Sequence, residues 1–133
     1  METDTISLPD AKLHIAKLAK AFPKLTNEVR LELRMLKFDG VKKTQSKSRR
    51  FDPKNLSSVD QTLQFAQTYN QMGWNVYITP SPLKANSNPH APAKGKDVIC
   101  ATQIYLDCDD DGAAQRLLRE IPVDYDYLVV TGT

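Results

Sequence analysis

Two aspartates one residue apart, Asp107 and Asp109, close the short apolar run Ile104-Tyr105-Leu106 and open the stretch Asp107-Cys108-Asp109-Asp110-Asp111-Gly112. Apolar residues that run into a turn signal read as a buried strand whose carboxyl end meets solvent. Alternation along such a strand puts Asp107 and Asp109 on the same face, on the order of 7 Å apart along the chain. Carboxylates held that way repel unless a cation lies between them, and an oxygen-ligated Mg²⁺ or Mn²⁺ fills that role. The competing reading is an acidic turn that caps the next helix, since Asp110 and Asp111 fall where helix N-termini favour acids.

Cations make the second group. Lys42, Lys43, Lys47, Arg49 and Arg50 crowd a segment otherwise made of Thr44, Gln45, Ser46 and Ser48. A basic, serine-rich stretch without apolar periodicity predicts a mobile loop or the tip of a β-hairpin. Clustered positive charge binds phosphates by releasing counterions, although Lys and Arg also favour any solvated surface. Ser81 to Lys96, with Pro82, Pro89, Pro92 and Gly95, predicts a long loop, and Lys84, His90, Lys94 and Lys96 are its polyanion-facing candidates. His90 lies between prolines and reads as exposed; His14 reads as a surface or boundary residue of a helix, with no second ligand at helical spacing.

Several elements must position these groups. Residues 10 to 22 show helical spacing of Leu13, Ile15, Leu18 and Phe22, opened by Pro9-Asp10 and stopped by Pro23. Val29 to Leu36 alternates with period two, placing Val29, Leu31, Leu33 and Met35 inward and Arg30, Glu32 and Arg34 on the other face. Those charges predict a solvated face, with Arg34 lining a cleft as the minority alternative. Residues 56 to 71 predict a helix capped by Ser57 or Ser58 and stopped at Gly73, and Trp74 to Pro80 a strand. Val98 to Leu106 is the expected acid-bearing strand, 113 to 121 a helix, and Tyr125 to Val130 a last strand.

The expected fold is therefore α/β (α+β): a mixed β-sheet flanked by helices, with a strand–helix–strand crossover over 107–130 and the acids at a strand's carboxyl end, where ligands gather. At 133 residues, 41% hydrophobic and 26% charged, the chain is one domain with a sizeable core, divided into a helical segment over 1–28 and an α/β core over 29–133. No apolar run is long enough to span a membrane, and the amino terminus lacks a secretory h-region. Cys100 and Cys108 have no zinc-ligand spacing, so a reduced, cytoplasmic protein is expected. A net charge of +2 decides nothing alone.

The order of these pieces resembles the catalytic domain of the archaeo-eukaryotic primase superfamily, especially the primase-polymerases of plasmids, phages and other mobile elements. The resemblance is carried by Leu31-Glu32-Leu33-Arg34, by Gly73-Trp74-Asn75-Val76-Tyr77-Ile78-Thr79-Pro80 entering a basic loop, by Tyr105-Leu106-Asp107-Cys108-Asp109, and by Leu128-Val129-Val130-Thr131-Gly132-Thr133. It covers residues 29 to 133. It implies that Asp107 and Asp109 are catalytic and bind the divalent metal, Mg²⁺ or Mn²⁺. It also implies nucleotidyl transfer from nucleoside triphosphates on a single-stranded DNA template, with a helicase domain or subunit as a further partner. Arg34, Lys42, Lys43, Arg49, Arg50, Lys94, Lys96 and Thr131 are then the nucleotide- or DNA-binding candidates. The family's nucleotide-contacting histidine and third acidic motif have no counterpart here, so the chain is expected to be an N-terminal piece of a larger DNA primase, incomplete for activity alone.

Two rivals share some of these features. A Toprim-type primase or nuclease domain also places Asp-x-Asp-x-x-Gly before a helix, matching Asp107, Asp109 and Gly112, but needs a glutamate at a strand end where Glu32 sits mid-strand. A non-catalytic nucleic-acid-binding or interaction module of a replication protein would use the acids only as helix caps.

Overall fold

The computed structural model describes residues 7–20, 22, 29–102 and 112–120. Its centre is an antiparallel hairpin of β1 (Val29–Asp39) and β2 (Lys42–Phe51), in register from Leu31 opposite Phe51 to Asp39 opposite Lys42, with one irregularity between Lys37 and Phe38. Gly40 opens the two-residue turn at φ +60°, a left-handed conformation that a Cβ disfavours. β3 (Asn75–Ile78) pairs antiparallel with β1 over Leu33–Leu36, and the short β4 (Leu83–Lys84) pairs antiparallel with Val29 and Arg30. The sheet order is β2-β1-β3, with β4 on the start of β1. The fold is thus mixed α and β, and among the described strands every pairing is antiparallel.

Helices cover one face. α1 (Leu8–Lys20) packs on α2 (Leu56–Gln71), and α2 lies against the sheet; α3 (Ala113–Glu120) follows Gly112. Ile15 and Leu18 of α1, and Phe22 beyond its end, join Leu31, Leu33 and Met35 of β1, Phe51, Val59, Leu63, Ala66 and Trp74 in one buried cluster. Burial of each large apolar side chain contributes about 1.5–3 kcal/mol, so the inward row of β1 alone is a major part of the stabilisation. α2 is capped by Asn55, whose Oδ1 accepts the Ser58 N–H at 3.1 Å, rather than by Ser57 or Ser58. Asn55 stands at the position from which a side-chain oxygen reaches the third N–H of the helix and satisfies one of the unpaired donors of the first turn. Gly73, at φ +88°, follows the helix end as expected.

Three segments differ from the sequence reading. Residues 42–50 form a full strand, not a loop or hairpin tip, because β1 supplies the partner that their polar sequence does not advertise. Residues 81–96 are not a free loop: they contain β4, and Gly95–Asp97 form a 3₁₀ turn. Val98 makes only an isolated bridge to Leu83, and 99–102 are not strand. The last expected strand, and the acid-bearing end of the one before it, lie outside the described residues.

Candidate nucleic-acid interface

Alternation in the hairpin puts Glu32 and Arg34 of β1 on the same face as Ser48 and Arg50 of β2, away from the helices. This face is largely covered rather than solvated. Glu32 is fully buried: its Oε1 accepts from Arg34 Nε at 3.1 Å and Nη2 at 2.7 Å, and its Oε2 accepts the Ala93 N–H at 2.7 Å. Arg34 Nη2 also donates to the Ala93 carbonyl at 3.2 Å. The expectation of a solvated charged face is corrected by this, and Arg34 instead grips the proline-rich segment.

Arg50 works the same way one step along. It is buried, donating from Nη1 to the Lys84 carbonyl at 2.8 Å and from Nη2 to Asp97 Oδ2 at 3.0 Å. Its own N–H donates to the Pro89 carbonyl at 2.7 Å. The Lys94 N–H donates to the same Asp97 oxygen, and this bond, followed by the Arg50 charge, holds the Asp97 carboxyl below its ordinary range. Half-buried Arg34 and buried Arg50 therefore clamp residues 81–97 across the polar face of the sheet.

The remaining cations face outward. Lys42, Lys43 and Lys47 are exposed on β2, and Lys94 and Lys96 are exposed on the clamped segment. Arg49, on the helix side, sits 5.5 Å over the ring of Phe65. The structure thus divides the basic candidates between those that hold the scaffold, Arg34 and Arg50, and those that present charge.

Sequence reasoning missed a ring cluster beside β2. Phe65 and Tyr69 of α2 meet edge to face at 5.0 Å, and the His90 ring lies 5.9 Å from Phe65. With Ser46, Lys47 and Pro92 they line an open recess of about 430 Å³. The spacing of Phe65 and Tyr69, one helical turn apart, was visible; that both stand at the sheet edge depends on how α2 docks.

Asp107, Asp109 and Thr131 lie outside the described residues. Among the described residues no group of three His, Cys, Asp or Glu side chains is arranged to hold a metal ion. As a donor set, Asp107 and Asp109 offer hard carboxylate oxygens that suit Mg²⁺ or Mn²⁺. Both Glu32 oxygens are already committed to Arg34 and the Ala93 N–H, and Asp97 Oδ2 to Arg50 and the Lys94 N–H. No helix among the described residues is long and apolar enough to cross a membrane. No protein-family model matches the sequence, and no curated protein or solved structure matches it.

Proposed function

We propose that the chain is part of the catalytic domain of a DNA primase-polymerase that joins nucleoside triphosphates on a single-stranded DNA template. The observation that carries this reading is the pair Asp107 and Asp109 at the end of an apolar run, preceded in order by the Leu31–Arg34 and Trp74–Pro80 segments. The architecture is compatible with it: those two segments fall on adjacent strands, β1 and β3, and the hairpin beside them carries exposed lysines. Asp107 and Asp109 would hold the Mg²⁺ or Mn²⁺. A bound divalent ion supplies neutralisation of charge on the triphosphate and the attacking hydroxyl.

Lys42, Lys43, Lys94 and Lys96 would hold template or triphosphate through charge rather than base edges, which suits an enzyme that accepts many sequences. Arg34 and Arg50 serve by fixing the segment that bears two of those lysines. Burial of Glu32 against Arg34 weighs against the Toprim alternative, which needs a free catalytic glutamate. A helicase domain or subunit would supply the unwound template.

The test is Mn²⁺ titration by calorimetry on the chain and on its Asp107→Ala/Asp109→Ala variant. Saturable binding that disappears in the variant supports the reading. Binding of equal strength in both proteins would remove the acid pair from the site, leaving a nucleic-acid-binding module whose acids cap a helix.

A further inference from the structure

The recess beside β2 combines two chemistries that the acid pair does not use. One wall is aromatic, made by Phe65, Tyr69 and His90, and it is braced from behind. Tyr69 packs at 4.9 Å against the buried ring of Trp74. His90 Nδ1 lies 3.2 Å from the Ser48 carbonyl oxygen, and because a carbonyl only accepts, Nδ1 is the protonated nitrogen. The His90 N–H also donates to Asn88 Oδ1 at 3.0 Å. Lys47 and Ser46 complete the lining from a strand that holds five cations and no acid.

We infer that this recess is a single-stranded nucleic-acid subsite, in which a base stacks on the Phe65–Tyr69–His90 wall while Lys47 takes the adjoining phosphate. Aromatic platforms next to a positive groove bind single strands with little sequence preference, because every base has a π-face. At about 430 Å³ the recess falls within the size range of small-molecule clefts. The inference rests on the proposed function for the identity of its ligand, and on the ring cluster for its chemistry. A peptide adding to the edge of β2 is the competing occupant. It is disfavoured because Pro89 and His90 already occupy the Arg50 N–H and the Ser48 carbonyl on that edge, and lysines along an edge strand oppose strand pairing.

The experiment compares a labelled short oligothymidylate with an abasic strand of the same length, by fluorescence anisotropy on the full chain in EDTA. Excluding metal separates this test from that of the acid pair, so either can fail while the other stands. Oligothymidylate should bind at least about fivefold more tightly than the abasic strand. His90→Ala, at an exposed position, should erase most of that preference, while Lys47→Gln should weaken both strands alike. Circular dichroism checks that both variants stay folded. Equal affinity for the two strands, or variants that bind as the parent does, would overturn the subsite. Displacement of the label by a neutral extended peptide but not by unlabelled oligothymidylate would overturn it in favour of strand addition.

Discussion

A carboxylate without solvent contact needs donors on both oxygens, and Glu32 has them from Arg34 and from Ala93. The two ends of the ion pair are not equivalent. Arg34 keeps 34% of its side chain exposed, whereas Glu32 keeps none. Arg34→Met should therefore cost about 3–5 kcal/mol, because it strands a buried charge. Glu32→Gln should cost only about 1–2 kcal/mol, because Arg34 can turn to water and the amide oxygen still accepts the Ala93 N–H. Urea denaturation of the two variants checks the order; a reversed order would overturn this account of the pair. Asp97 adds a pH dependence of known sign. Its carboxyl is held below 3.8, so its contribution to stability is fully present above that value. That contribution drains away as pH falls from there through the lower folded value. Asp97→Asn should flatten this part of an acid-denaturation curve, and an unchanged curve would show that neither the Lys94 N–H nor Arg50 holds the charged form.

At the scale of elements, the hairpin turn offers the cleanest substitution. A Cβ at Gly40 would meet nothing within 4 Å, so any cost is conformational. Gly40→Ala should lose about 1–2 kcal/mol through the left-handed backbone alone, measurable as a lower denaturation midpoint. The elements also show where a sequence speaks locally and where it does not. Val29, Leu31, Leu33 and Met35 were legible as a buried row because a period of two is written in the residues themselves, and all four are buried. α2 was legible from Val59, Leu63 and Ala66 for the same reason. β2 was not, since Lys47 and Arg49 lay only long stems on the helix side and borrow their apolar partners, Met35 and Leu33, from β1. Glu32 read as a surface charge because its decisive partner, Ala93, lies 61 residues further on. Of the candidate site, the acids and the exposed lysines were legible as residue types. The ring wall was not, because Phe65, Tyr69 and His90 meet only through tertiary packing.

For the molecule as a whole, formal charge is nearly balanced at +2, yet the cations of β2 are unaccompanied by acids on their own strand. Polyanion binding should therefore come from one region rather than from a diffuse field. Lys42 and Lys43 are the residues to test it with, since both are exposed while Arg50 is needed to hold the scaffold. Lys42→Gln/Lys43→Gln should leave stability within about 0.5 kcal/mol of the parent. It should also flatten the dependence of single-strand affinity on log salt by about 0.7 for each phosphate that is no longer neutralised. An unchanged salt slope would assign the phosphates to other cations. The clamp over the polar face carries a practical consequence for anyone dividing the gene. Prolines and polar residues make 81–97 look like a dispensable tether, and a shortened version ending at Ile78 would seem a natural cut. Such a truncation would delete Leu83 and Pro82 from the interior, take the Ala93 N–H from Glu32, and strand Arg50 without the Lys84 carbonyl and the Asp97 carboxylate. The shortest piece that can stand alone must extend past Asp97.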